Sequence, residues 1–133
     1  MSFSVGHQLQ YTPREAFRHC QEGSVILDVR PEVLCLYKGF DVPQVLYCPS
    51  QEIILYLDRL PTDKELIVAD SSGIQAREVI HLLLDHGFKQ IAGLAGGMVE
   101  WERDGMPLLT DNQARLSGSC MCQLKFRNKR SDK

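Results

Sequence analysis

The 133-residue chain lacks the long hydrophobic runs of a membrane protein, since nothing in it approaches the roughly eighteen consecutive apolar residues of a spanning helix. Its opening, MSFSVGHQ, has neither the basic start nor the apolar core of a secretory signal. Its five cysteines are odd in number and lack the spacing of a disulfide framework, which indicates free thiols in a reducing compartment. We therefore expect a cytoplasmic protein without a membrane span.

The chain also lacks a general excess of positive charge. Residues 1–116 carry ten Lys and Arg against sixteen Asp and Glu, whereas residues 117–133 carry five against one. The acidic part argues against nucleic-acid binding by the main domain. The basic end is typical of a solvated terminus, with contact to RNA, a membrane surface or an acidic partner as the alternative. Its basic residues are Lys125, Arg127, Lys129, Arg130 and Lys133.

No internal repeat and no linker rich in Pro, Gly or Ser divides the chain before Thr110. The sequence therefore predicts one domain over residues 1–109. Residues 110–133 are predicted to form a C-terminal extension that contains Cys120 and Cys122.

Helical and strand patterns alternate along this domain. Apolar runs predict strands over 24–29, 45–47, 66–69 and 90–93, while caps and helical spacing predict helices over 13–20, 31–37, 51–57, 76–86 and 98–102. Such alternation predicts a parallel sheet that is covered by helices on both faces. The loops that follow the strands then share one edge of the sheet, which brings residues 28–30 and 70–75 together.

The segment 66–77, LIVADSSGIQAR, combines a strand, a tight polar loop and the start of a helix. A junction of this kind gathers backbone N–H groups into a cradle for an anion. Asp70 takes the first position of the loop, so no thiol nucleophile stands there. Ser71 and Ser72 follow it, but the sequence places no histidine near them as a general base, which argues against a serine hydrolase.

Five segments in this order and spacing resemble the rhodanese family of sulfurtransferase-like domains over roughly residues 8–108. They are LDVRPE at 27–32, KG with VP within 38–43, LIVADSSGIQA at 66–76, LLLDHGF at 82–88 and LAGGMVEW at 94–101. The resemblance implies an α/β domain of three layers, α/β/α, with a parallel central sheet of four to five strands.

In that family the loop has the form Cys-x-x-Gly-x-Arg, and its cysteine thiolate takes a sulfane sulfur from a donor and passes it to an acceptor. The corresponding residues here are Asp70, Ser71, Ser72, Gly73, Ile74 and Gln75. A carboxylate thus replaces the thiol and a neutral amide replaces the guanidinium, which disfavours sulfur transfer and the binding of an anionic donor. Asp70 is expected to accept the loop's own N–H groups instead. Arg77 could reach back toward the loop, although a solvated helix position is the simpler interpretation.

The resemblance implies that Asp28 and Arg30 support the loop from beneath, with a partner or ligand site as the alternative. The five thiols divide into two groups. Cys20, Cys35 and Cys48 are expected to be packed in the interior. Cys120 and Cys122, one residue apart, are candidate reactive thiols that could carry sulfur, form a redox disulfide or contribute half of a soft-metal site.

The leading hypothesis is a catalytically degenerate rhodanese-like domain, a binding or regulatory module that engages a protein partner through the sheet edge where the family binds sulfur donors. The alternative is a sulfur or redox carrier that exchanges sulfur with a donor or acceptor through Cys120 or Cys122. A weaker third hypothesis is a non-catalytic binder of anions or metabolites. Because the four histidines are scattered, neither a metal nor another cofactor is predicted.

Overall fold

The protein is described by a computed structural model that covers residues 3–5 and 8–110. The strands are β1 (Phe3–Val5), β2 (Gln8–Tyr11), β3 (Val25–Asp28), β4 (Gly39–Phe40), β5 (Val45–Tyr47), β6 (Leu66–Ala69), β7 (Ile91–Leu94) and β8 (Leu108–Leu109). The α-helices are α1 (Pro13–Gln21), α2 (Glu32–Tyr37), α3 (Ile74–Asp85) and α4 (Gly97–Arg103), and one 3₁₀ helix covers Ser50–Arg59.

The main sheet has the strand order β1-β2-β7-β6-β3-β5. Five of these strands are parallel, namely β2, β7, β6, β3 and β5, whereas β1 pairs antiparallel with β2. The predicted parallel sheet is therefore confirmed, with five parallel strands. The strands β4 and β8 form a separate antiparallel pair. The pairing aligns Asp28 of β3 with Ala69 of β6, so the two predicted site loops begin side by side.

Helices cover both faces of the main sheet, as the predicted three-layer architecture requires. One core cluster joins Leu27 and Val68 to Ile53 of the 3₁₀ helix and Val79 of α3. The other cluster lies on the opposite face and contains residues of α1 and α4: Ala16, Cys20, Met98 and Trp101. Successive strand residues alternate between the two clusters because strand side chains point to opposite faces with a period of two.

The ends of the helices follow from local chemistry. At α1, the side chain of Thr12 accepts from the backbone N–H of Glu15, and the Glu15 side chain accepts from the N–H of Thr12, which together form a capping box. The predicted helix at 51–57 is instead a 3₁₀ helix, with non-helical backbone angles at Tyr56. Helix α3 begins at Ile74, two residues before the predicted start, because Gly73 takes up a left-handed conformation with φ of +101°.

Candidate functional site

The loop that follows β6 holds a buried carboxylate. Asp70 is only 3% exposed. Its Oδ2 accepts the backbone N–H groups of Gln75 at 2.7 Å and of Ala76 at 3.2 Å. Its Oδ1 accepts the N–H of Gly73. The prediction that Asp70 accepts the loop's own N–H groups is therefore confirmed.

These N–H groups are the ones that an external anion would need. The first N–H groups of an α-helix have no carbonyl partner within the helix and carry the positive end of its dipole. Gln75 and Ala76 are the second and third residues of α3, and Gly73 immediately precedes that helix. The Asp70 carboxylate thus fills the anion cradle from within the chain.

The N-terminus of α4 fixes the backbone of the same loop. The N–H of Met98 donates to the carbonyl oxygen of Asp70 at 2.8 Å, and the N–H of Val99 donates to that of Ser71 at 3.1 Å. Gly97 allows this approach, since a Cβ atom at its position would lie 2.4 Å from the Asp70 carbonyl oxygen. These contacts leave little trace in the sequence, in which only the Gly96-Gly97 doublet indicates a close approach of backbone.

Asp28 and Arg30 form a second buried charged group on the neighbouring strand end. The Arg30 Nε atom donates to Asp28 Oδ1 at 2.9 Å, and Nη2 donates to Oδ2 at 2.7 Å. Nη2 also donates to the carbonyl oxygen of Lys38 at 2.6 Å, while the guanidinium lies 5.5 Å from the centre of the Phe40 ring. Burial favours the neutral form of Arg30, but the hydrogen bonds and charge of Asp28 outweigh it and raise the pKa of Arg30.

The backbone joins this pair to the Asp70 loop. The N–H of Val29, which lies between Asp28 and Arg30, donates to the carbonyl oxygen of Ala69 at 2.9 Å. The segment between the paired residues is therefore bonded to the residue immediately before Asp70. Support of the loop by Asp28 and Arg30 stays a prediction, and this bond is the route through which they would exert it.

The remaining loop side chains differ in their exposure. Ser71 is half-buried, whereas Ser72, Ile74 and Gln75 are exposed. Gln75 binds Asp70 through its backbone N–H. Arg77 is exposed on α3.

The thiols that the structure describes are buried, as predicted. They are Cys20, Cys35 and Cys48. Burial, followed by the nearby charge of Glu65, raises the pKa of the Cys20 thiol to about 12, so it is not a ready nucleophile at neutral pH. The Cys35 thiol donates weakly to the carbonyl oxygen of Arg30 at 3.8 Å.

Other predicted features fall outside the described residues. Cys120, Cys122 and the basic residues of the extension all lie beyond Thr110. Within residues 3–5 and 8–110, no three His, Cys, Asp or Glu side chains are placed to hold a metal ion. In the same part of the chain, no helix has the length and apolar character to cross a membrane.

Comparison with known proteins identifies this architecture. The chain is 25% identical over 104 residues to the thiosulfate sulfurtransferase GlpE of Haemophilus influenzae, which covers 76% of this chain and 94% of that protein. It is 25% identical over 68 residues to a sulfurtransferase of Allochromatium vinosum, with 51% of this chain and 64% of the relative covered.

Solved structures show the same fold. A rhodanese-related protein of Thermoplasma volcanium superposes with a TM-score of 0.69 at 19% identity, covering 77% of this chain and 98% of that one. The rhodanese-like domain of an Anabaena protein gives a TM-score of 0.66 at 20% identity, covering 80% and 82% respectively. Because residues 12–104 match the family described as the rhodanese-like domain, the chain belongs to that family.

Proposed function

We propose that this protein is a binding or regulatory module of the rhodanese-like family without thiosulfate sulfurtransferase activity. The observation that carries the proposal is the Asp70 carboxylate, which is buried in the loop after β6 and accepts three backbone N–H groups. In this proposal, Asp70 stands where the family has its loop cysteine, and Gln75 stands where the family has its loop arginine.

Two physical consequences support the absence of activity. A carboxylate is a hard and weak nucleophile that cannot form a persulfide, so the loop has no atom to carry sulfane sulfur. Thiosulfate would also meet a like charge. Two unit charges 4 Å apart repel by about 4 kcal/mol at an effective dielectric of 20. Gln75 supplies no positive charge to offset this repulsion.

A thiosulfate and cyanide assay at high protein concentration tests the proposal. The wild-type protein should form no more thiocyanate than a heat-killed control, whereas turnover well above that control would overturn the proposal. The double variant Asp70→Cys with Gln75→Arg should gain measurable activity, since it restores both a thiolate and a cation to the loop. The matched control, Asp70→Ser with Gln75→Arg, introduces the same cation without a thiol and should remain inactive.

The alternative function is a sulfur or redox carrier that uses Cys120 or Cys122. Burial of Cys20, Cys35 and Cys48 favours these two residues as the sites of any reactive thiol. The carrier function predicts mass additions of about 32 Da on the peptide containing Cys120 and Cys122 after incubation with a sulfane donor. Changing both residues to serine should abolish those additions. An unmodified peptide would argue against the carrier.

Three further sequence predictions remain proposals. The partner of the module is a protein that binds at the edge containing the Asp70 loop. The module occupies residues 1–109, with residues 110–133 as an extension. Finally, we place the protein in the cytoplasm, because its five cysteines lack disulfide spacing and suit a reducing compartment.

A further inference from the structure

Exposed apolar side chains lie on the helices that follow the parallel strands β3, β5, β6 and β7. Helix α2, which follows β3, exposes 69% of Val33, 39% of Leu34 and 71% of Tyr37. These residues lie on one face of the helix, because residues three or four apart are neighbours on a helical surface.

The connections that leave the carboxyl ends of β5, β6 and β7 carry exposed apolar residues too. Ile54 and Leu55 are exposed on the 3₁₀ helix after β5, Ile74 begins α3 after β6, and Val99 lies in α4 after β7. The backbone N–H of Val99 is bonded to Ser71 of the loop. All eight large hydrophobic residues exposed in the described part of the chain lie on these four connections. Leu84 is set apart from the others because it is the eleventh of the 12 residues of α3, at the end of that helix away from the Asp70 loop. We call the other seven residues the carboxyl-edge surface; such clustering marks an interaction site more than scattered exposure does.

Charge indicates what this surface would accept. Residues 1–110 carry nine Lys and Arg against fifteen Asp and Glu, a net charge of −6. Glu32 is exposed at the first turn of α2, and Glu52 is half-buried in the 3₁₀ helix. A partner that alternates apolar and basic residues would satisfy both features of the surface.

The described chain ends beside this surface. Strand β8 pairs antiparallel with β4, and Leu109 is aligned with Gly39. Because β4 follows α2, the antiparallel direction leads the chain after Leu109 toward Tyr37. The 23 residues beyond Thr110 can span about 75 Å when extended. A domain of about 100 residues has a radius of gyration near 13 Å, so this segment can reach any part of the surface.

We propose that residues 120–130 of this chain bind the carboxyl-edge surface. Their sequence, CMCQLKFRNKR, alternates Leu124 and Phe126 with Lys125 and Arg127. Residues 111–133 carry six Lys and Arg against two Asp, a net charge of +4 that complements the acidic domain. This binding goes beyond the proposed function and does not depend on the loss of sulfur transfer.

Paramagnetic NMR on the full chain tests the proposal. Cys120→Ser leaves Cys122 as the attachment site for a nitroxide, since the three described thiols are buried. Broadening is expected at the amides of residues 33–37, 54–55, 74 and 99. The amides of 62–64 and 88–90, next to the amino ends of β6 and β7, should remain sharp. Equal broadening at both edges, or at neither, would overturn the proposal.

A mixed sample separates binding within one chain from binding between two copies. Isotope-labelled protein without nitroxide is combined with unlabelled protein that carries it. Broadening in this sample would assign the contact to a second copy and overturn binding within the chain. The expected result is sharp spectra in the mixed sample, together with broadening in the sample in which every chain carries both the isotope and the nitroxide.

Substitutions then test the surface itself. Val33→Ser with Tyr37→Ser should reduce the broadening at residues 54–55, 74 and 99 to the level of the control amides. Leu84→Ser, the matched exposed apolar change outside the surface, should leave it unchanged, and equal effects of the two changes would contradict the proposal. Hydrogen exchange without a label provides a second readout: Leu124→Ser with Phe126→Ser should speed exchange in residues 33–37, and unchanged exchange would count against binding.

Discussion

Two buried aspartates stand at neighbouring strand ends, and the protein stabilises their charges in different ways. Asp28 ends β3 and is bound by the guanidinium of Arg30 through two hydrogen bonds. Asp70 follows β6 and is bound by the backbone N–H groups of Gly73, Gln75 and Ala76. The first site pairs two side-chain charges, whereas the second places a negative charge among amide dipoles.

The difference shows which carboxylate belongs to the scaffold and which to the candidate site. Arg30 also binds the carbonyl oxygen of Lys38 and lies over Phe40, so the Asp28 pair connects β3 with the segment after α2. The N–H groups around Asp70, by contrast, would suit any small anion. Removing the Asp28 pair should therefore damage the fold, while removing the Asp70 carboxylate should open a binding site.

The largest expected effect is that of Arg30→Ala. The change leaves the fully buried Asp28 without its cation, and breaking a buried ion pair in this way costs about 3–5 kcal/mol. Urea unfolding should show a matching loss in the free energy of unfolding. Arg30→Lys retains the charge without the two-pronged geometry and should lose less stability. A loss below about 1 kcal/mol for Arg30→Ala would contradict a scaffold role for the pair.

The next effect is that of Asp70→Ala. Removal of the carboxylate leaves three N–H groups without their acceptor, which should lower the free energy of unfolding by about 1–3 kcal/mol. Sulfate should then restore stability in a saturable way, because it binds the folded form at the vacated N–H groups.

The charge-matched control for this experiment is Asp63→Ala, at an exposed position before β6. It should show only the general stabilisation by sulfate that the wild-type protein also shows. Equal sulfate responses in the two variants would mean that Asp70 does not occupy an anion cradle.

A third carboxylate, that of Glu65, acts on two groups that lose a proton in alkali, Tyr11 and Cys20. Glu65 accepts hydrogen bonds from the hydroxyls of Tyr11 at 2.6 Å and Ser24 at 2.8 Å, and its Oε1 lies 3.0 Å from Nδ1 of His19. Burial and this carboxylate raise the pKa of Tyr11. Burial, then Glu65, likewise raises the pKa of Cys20 from 9.0 to about 12.

Stability should consequently fall in alkali. The unfolded chain releases the Cys20 proton near pH 9 while the folded protein retains it, so rising pH favours unfolding until the folded thiol titrates near pH 12. The slope from this thiol is at most about 1.4 kcal/mol per pH unit. Between pH 8 and 10, Cys20→Ala should therefore lose stability more slowly than the wild-type protein in urea unfolding. Parallel curves would exclude this contribution.

The smallest effect is expected for Lys38→Ala. Its ammonium pairs with Glu102 at the surface, where such pairs contribute about 0–1 kcal/mol. The urea midpoint should hardly move. A loss as large as that of Arg30→Ala would show that burial is not what separates the two pairs.

The central parallel strands could be predicted because each is a short apolar run that is followed by residues typical of turns. The segments 66–69 and 45–47 match β6 and β5, and β3 and β7 lie within one residue of their predicted bounds. Strands β1 and β2 were missed. Gln8–Tyr11 alternates polar and apolar residues over only four positions, and it becomes a strand by pairing with β7. The Gly93 backbone leaves room there for the side chain of Gln10.

The two-residue strands β4 and β8 were also beyond prediction, since so short a segment has no period to detect. Leu108–Leu109 pairs with Gly39–Phe40 from a distant part of the chain. Contacts of this kind are set by the arrangement of the layers.

The sequence by itself determined the alternation of elements, the family resemblance and the absence of a thiol at the head of the loop, because these depend on local pattern and residue chemistry. Only the tertiary structure decided that the Asp70 carboxylate turns inward and that α4 holds the loop through Met98 and Val99. It also decided that large apolar side chains on the helices after the parallel strands stay exposed. The physical reason is that these features are contacts between backbone groups or distant segments, which depend on packing in three dimensions and leave little trace in local sequence.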